Sequence, residues 1–316
     1  MEIGIDTGGP RREFFQLLAD KITSTTVGFF EGDMPNLLPT MKGPALRLGH
    51  FRILGTIIAH SIVNGGIGFP YLARPVFEYI VTQNAEACLI HCTPEIVPNK
   101  DAREIIKEIS SSTVESFGEV ANRPDVLDYI CNAGWTGIIQ FSEKEHLVAT
   151  LLLHEVIWKR ESAINQLLQG LKLLHVLETV QKFPDRFQSK FVYNVALTSS
   201  VLKENLIFME TSEVVHERTK EFFLRYIDAN VTIACGEDSQ FKRCAAVLQF
   251  ITGQQFVGGL QKKIEVGYID DPKAYYPCAG TCGLKFFLPT KQETFDEFSR
   301  DMDKALECEA FGFDCF

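Results

Sequence analysis

Cys278-Ala279-Gly280-Thr281-Cys282-Gly283-Leu284-Lys285-Phe286-Phe287-Leu288-Pro289 is the stretch whose reading decides this chain. Leu284 to Leu288 reads as a strand, and Ala279-Gly280 before it reads as a turn. A cysteine between the two is presented on a surface loop instead of being packed away. Thr281 supplies a hydroxyl beside it, and Gly280 and Gly283 leave the neighbouring backbone accessible.

The texture on either side differs. Downstream of about Leu206 the chain mixes helices (Glu213 to Ile227, Phe241 to Ile251) with a second alternating run from Lys263 to Tyr268, separated by glycine turns. A last helix is announced by Thr294 and Glu297, a capping-box pair, with Phe295, Phe298, Met302 and Leu306 as its apolar stripe. Upstream the chain is mainly helical. Gly8-Gly9-Pro10 opens one helix, and Leu46 to Val63 and Arg74 to Thr82 form two more. His146 to Lys182 carries two long helical patterns, with Ile164, Leu167, Leu168, Leu171 and Leu174 recurring at three- and four-residue steps. Between Asp101 and Phe141, breaks at Ser110-Ser111-Ser112 and Asn122-Arg123-Pro124 cut the pattern into short pieces, as in a small subdomain or insertion. The fold class expected is α+β in two lobes.

Composition narrows the function classes. Hydrophobic residues at 46% and charged residues at 23% are globular values. Forty-one acidic against 31 basic residues give a net charge of −10, the wrong sign for phosphate neutralisation, so no nucleic acid is expected. Phe51 to Ala73 is long and apolar, but Arg52, His60 and Asn64 interrupt it and Gly65-Gly66 and Pro70 break it; it reads as a buried helix and a loop, with no membrane partner. Nine scattered cysteines, an odd number, and no signal peptide fit a reducing cytoplasm or nucleus better than a disulfide framework.

Which residues could do chemistry follows from spacing. Cys88-x-x-His91-Cys92 and Cys278-x-x-x-Cys282 are each half of a tetrahedral metal site without a second pair at zinc-finger spacing, so no metal and no cofactor is expected. His154-Glu155 lacks a second histidine four residues after the first, and Gly65-Gly66-x-Gly68 lacks the Gly-Lys-Ser/Thr of a phosphate loop. Most cysteines are expected as small buried hydrophobes. Cys282 is the exception by its context. None of the seven histidines lies near it in sequence, so a papain-like pair could form only in three dimensions. An exposed, modestly activated thiolate suffices for exchange between thioesters, which is nearly isoenergetic.

The C-terminal third resembles the C-lobe of HECT-type E3 ubiquitin ligases. Thr281-Cys282 is followed by Leu288-Pro289 and then by a helix and Gly312-Phe313, with Phe313 fourth from the end. Leu248-Gln249-Phe250-Ile251-Thr252-Gly253 and Val257-Gly258-Gly259-Leu260 resemble the family's segment before the cysteine loop. Independently, Gly4-Ile5-Asp6-Thr7-Gly8-Gly9 with Arg12-Glu13-Phe14-Phe15 resembles its N-lobe motif, and Gly55 to Asn64 its next core helix. Within the family the chain is most similar to the G2/M-phase-specific group, through Phe183-Pro184-Asp185-Arg186-Phe187 and Leu197-Thr198.

The resemblance implies an N-lobe over residues 1–210, N-terminally truncated, with a reduced E2-binding subdomain at about 101–141, and a C-lobe over 211–316. It implies a hinge near Phe208 to Ser212, so that one cysteine can face first the E2 and then the substrate. It assigns Cys282 as the ubiquitin acceptor, Thr281 as the residue that positions the loop, and Phe313 as tail anchor or as a guide for lysine attack. Its partners would be an E2 conjugating enzyme, ubiquitin and a protein substrate. Two positions depart from the family pattern: Gly280 replaces the polar residue usual before the threonine, and Leu284 the asparagine usual two positions after the cysteine. These departures leave open a second reading, a HECT-like module that binds ubiquitin, E2 or another protein without transfer.

Overall fold

The computed structural model describes residues 8–193, 197–229, 231–234, 240–257, 260 and 262–309. Phe313 and the apolar end Ala310 to Phe316 lie outside the described residues. The protein is α+β and predominantly helical. It divides into two compact units, one of Met1–Leu18, Asn64–Ile67 and Val195–Phe316, the other of Ala19–Val63 and Gly68–Asn194.

Helix α1 (Gly9–Thr23) starts where Gly8-Gly9-Pro10 predicts, and Gly8 makes the entry turn at φ +117°. In the unit of Ala19–Val63 and Gly68–Asn194, α2 (His50–Val63) and α3 (Glu161–Leu171) are the central pair. They meet through glycines. A Cβ on Gly55 would lie 3.0 Å from the Cα of Gly170 and against the carbonyl oxygen of Leu167, so the two backbones pack with no side chain between them. The single helix expected over Leu46 to Val63 is two, because Gly49 at φ +70° ends the short helix Gly43–Arg47 before α2 begins.

The run expected as two helices between His146 and Lys182 is three: Lys144–Val156, α3 and Val176–Lys182. Ile164, Leu167, Leu168 and Leu171 are buried as their spacing predicts. Leu174 is not part of that stripe: it and His175 take left-handed φ values of 57° and 58°, the helix ends, and the Leu174 side chain is half exposed. The Asp101 to Phe141 stretch holds three short helices, Lys100–Ser111, Val114–Ala121 and Pro124–Asn132, cut where the serine run and Asn122-Arg123-Pro124 predict. Asn99 caps the first by accepting from the Ala102 N–H at 2.9 Å, Thr113 and Ser116 form a capping box on the second, and Pro124 opens the third. Among the described residues no helix is long and apolar enough to cross a membrane.

The other unit is built on a four-stranded sheet. Besides the short helix Ser199–Glu204 and the strand pair Thr232–Ala234 and Gln240–Lys242, its elements include β1 (Leu206–Phe208), α4 (Val214–Asp228), α5 (Arg243–Thr252), β2 (Ile264–Ile269), β3 (Cys278–Gly280), β4 (Lys285–Pro289) and α6 (Phe295–Glu309). Strand order is β1-β2-β4-β3; β1, β2 and β4 run parallel, with Val266 opposite Phe208 and Phe286, and β3 returns antiparallel to β4. Phe223 and Tyr226 of α4, Val247 and Ile251 of α5, and Phe298 and Met302 of α6 close over Val266, Phe286 and Leu288 in one apolar core. Phe286 is its centre, with ring centroids 5.4 Å from Phe223 and 6.1 Å from Phe250. Thr294 and Glu297 exchange both bonds of the expected capping box at 3.3 Å, which starts α6. The segment read as a pivot, Phe208 to Ser212, begins inside this sheet: Phe208 belongs to β1 and the Met209 N–H donates to the Val266 carbonyl at 2.9 Å.

Candidate active site

β3 and β4 form a hairpin, and its loop carries Thr281 and Cys282. Gly280 pairs with Lys285, the last rung of the ladder, and Thr281–Gly283 make one 3-10 turn between them. The turn closes at Leu284, whose backbone is left-handed at φ 51° and whose side chain is only 4% exposed. A branched residue in this conformation costs about 1–2 kcal/mol. Burying its side chain in the core is worth a similar amount or more, roughly 1.5–3 kcal/mol, so the plug holds the turn shut. The Leu284 carbonyl is held in turn by the Glu265 N–H of β2 at 2.9 Å. With Leu284 and Phe286 buried in the core, Cys282 between them and β3 is exposed. The departure at Leu284 is therefore a packing residue in the folded chain.

The first turn of α1, which belongs to the same unit, stands over this loop. A Cβ on Gly9 would collide with the Thr281 hydroxyl and lie 3.2 Å from the Cys282 sulfur. Arg12, one turn further on, donates from Nε to the Thr252 carbonyl at 2.9 Å and from Nη2 to the Thr281 carbonyl at 2.5 Å. Gln16 accepts from the Gln255 N–H at 3.2 Å. A cysteine at a helix N-terminus is in a setting that favours thiolate, and the Arg12 guanidinium binds the carbonyl of the residue before it. Sequence spacing places Arg12 in a motif with Gly8 and Gly9, but its approach to a loop 269 residues away has no local signal.

The other candidates separate from this site. Cys88 and Cys92 are buried, and burial pushes both thiols up to about 12, where they act as hydrophobes. His91 between them faces Glu78 at 3.8 Å. Two cysteines expected to pack away do not: Cys131 and Cys278 are exposed. His216 is the only histidine of the unit that holds Cys282, and both of its ring nitrogens are engaged at 2.8 Å, Nδ1 with the Thr211 hydroxyl and Nε2 with Asp270. Its ring lies flat on Tyr268, centroids 4.2 Å apart. Glu213, His216 and Asp270 bring three ligand-type atoms within 4.8 Å of one another, the one such group among the described residues, and it does not coincide with either cysteine pair. His154 is half-buried, and desolvation lowers its pKa.

No family model matches the chain. Over 308 residues, 95% of its length, it is 26% identical to the G2/M phase-specific E3 ubiquitin-protein ligase of Macaca fascicularis, and over 309 residues 24% identical to that of Homo sapiens. It is also 26% identical over 200 residues, 58% of the chain, to the E3 ubiquitin-protein ligase UPL2 of Arabidopsis thaliana, covering 5% of that protein. The chain spans about 40% of the length of the animal relatives. Along nearly its whole length, then, the chain is similar to a G2/M phase-specific E3 ubiquitin-protein ligase.

Proposed function

We propose that the chain is a HECT-type ubiquitin transferase region with Cys282 as the acceptor thiol. The Cys282 thiolate attacks the carbonyl carbon of an E2–ubiquitin thioester; a new carbon–sulfur bond forms, the bond to the E2 sulfur breaks, and the E2 leaves as its thiolate. A substrate lysine amine then attacks the same carbonyl, an isopeptide bond forms, and Cys282 departs as thiolate while the amine proton passes to solvent. Thr281 positions the loop, and Phe313 acts as tail anchor or as a guide for the amine. Residues 1–210 act as the N-lobe and 211–316 as the C-lobe, and a hinge near Phe208 to Ser212 lets one cysteine serve two partners.

The observation that carries this reading is the presentation of Thr281-Cys282 at a hairpin loop pinned from below by Leu284 and Phe286. E2 docking is assigned to the small helical subdomain. At its C-terminal end, Gly134, Trp135, Ile138 and Gln140, with His146 and Thr150 of the following helix, line an open groove of about 420 Å³, with Ile138 73% exposed. Incubation with E1, a panel of E2s and ubiquitin is expected to give a thiol-reducible ubiquitin adduct that Cys282→Ala abolishes. If no E2 gives a Cys282-dependent adduct, transfer is not the role of this chain.

The second reading, a binding module without transfer, is favoured by Leu284, which offers no polar group beside the thiol. It requires E2 or ubiquitin binding that Cys282→Ala leaves unchanged, with no adduct. Lysine ubiquitination dependent on Cys282 would sink it.

A further inference from the structure

We infer that Arg12 is a positioning residue for the Cys282 thiol, clamping the cysteine loop to the end of α5 and holding a fixed positive charge beside it. The inference rests on the reading of Cys282 as the acceptor and goes beyond it, because it assigns the activation of that thiol to a residue in the N-terminal motif.

Three observations converge. First, the approach of α1 to the loop depends on an absent side chain: at Gly9 any Cβ would meet the Thr281 hydroxyl and press on the Cys282 sulfur, so glycine lets the helix backbone reach the thiol. Second, Arg12 lies three residues on, on the same helix face. Its guanidinium bridges two carbonyls that belong to different elements, Thr252 at the end of α5 and Thr281 in the cysteine loop. The last carbonyls of a helix have no intrahelical partner and carry the negative end of its dipole, so a cation there is stabilised. That anchors Arg12 independently of the loop, and the loop then hangs from an anchored donor. Third, Arg12 is charged at every pH the protein meets, and its donors point in fixed directions. One side chain therefore fixes the peptide immediately before Cys282 and brings a fixed positive charge to the carbonyl of that peptide. Within the loop Gly280 has no side chain and Leu284 is apolar and buried, and the nearby cation Lys285, whose stem runs 3.6 Å from a Cβ built on Gly283, is paired with Glu265 at 3.8 Å.

Lysine at this position would keep the charge and lose the two-way bridge, because an ammonium on a flexible stem does not hold two carbonyls in a fixed fork. This separates a role in positioning from charge alone.

The test is the pH profile of iodoacetamide alkylation of each cysteine in the full chain, read by peptide mass. It needs neither E2 nor ubiquitin, so its outcome is independent of the adduct assay. Exposed Cys131 and Cys278 serve as internal references, and buried Cys244, in the same unit as Cys282, reports integrity of that unit. In the wild-type chain Cys282 is expected to react at neutral pH faster than either reference. In Arg12→Ala its rate at pH 7 falls about five-fold or more and its inflection moves to higher pH, while Cys131 is unchanged; Arg12→Lys lies between the two. A Cys282 profile in Arg12→Ala that superimposes on wild type overturns the inference. So does an Arg12→Lys profile identical to wild type, since charge alone would then suffice. If Arg12→Ala exposes Cys244, the decision passes to Arg12→Lys on the same criterion.

Discussion

Gly55 of α2 and Gly170 of α3 meet backbone to backbone, the Cα of Gly170 lying 3.0 Å from where a Gly55 side chain would begin. Each closes a space that the other opens: a Cβ on Gly170 would run into the Arg52 carbonyl oxygen of α2. The obstacles are backbone atoms in regular helices, which cannot rotate aside. Gly55→Ala and Gly170→Ala are therefore each expected to cost about 3 kcal/mol, the upper end for overpacking, despite the better helix propensity of alanine. Urea denaturation measures this as a lower midpoint with unchanged slope. A loss under about 1 kcal/mol contradicts the close approach.

Leu284 is the plug beneath the cysteine loop. Leu284→Ala is expected to destabilise the chain by about 2–4 kcal/mol and to loosen Thr281–Gly283. Amide exchange of the hairpin resolves the second effect, which should be confined to the loop and β4. Full protection there in the variant would show that the turn does not depend on the plug.

His216 links the loop before α4 to the ends of β2 and β4, through Thr211 on one nitrogen and Asp270 on the other; Asp270 in turn accepts from the Thr290 hydroxyl at 3.2 Å. Removing the ring in His216→Ala loses two hydrogen bonds and the stack on Tyr268, an expected cost of about 2–3 kcal/mol. Thr211→Ala, which loses one bond, is expected to cost about 1 kcal/mol. Equal and negligible costs in both variants would remove His216 from the account of stability.

Burial raises the Cys88 and Cys92 thiols to about 12 in the folded chain, whereas in the unfolded chain they titrate near ~8.5. Between those values the unfolded state has lost protons that the folded state retains, so stability falls as pH rises through that window. Below about 8 their contribution is fully present and flat. Denaturation midpoints measured from pH 7 to 11 should decline, and Cys88→Ala/Cys92→Ala should flatten the alkaline limb. An unaltered limb would assign the decline to other groups.

Much of this molecule was legible in one dimension. The period of Ile164, Leu167, Leu168 and Leu171 foretold a buried helix face, Thr294 and Glu297 foretold the start of α6, and Leu284 to Leu288 foretold a strand, because each depends on neighbours within a few residues. Ala279-Gly280, read as a turn, is instead part of strand β3 paired to β4, and the turn falls at Thr281–Gly283, because the ladder to Phe286 and Lys285 extends the hairpin. Leu174 broke its own pattern, since a stripe on paper does not record that the chain turns left-handed after Leu173.

The sequence by itself determined which thiol to examine, since glycines and a strand signal around Cys282 are local facts. Only the tertiary structure decided what surrounds it. Leu284 is recruited from the loop into the core, and Gly9 and Arg12 reach the loop from the far end of the chain. Those relations arise from close packing and from the need to satisfy the Thr252 and Thr281 carbonyls, and neither constraint has a period or a spacing along the chain.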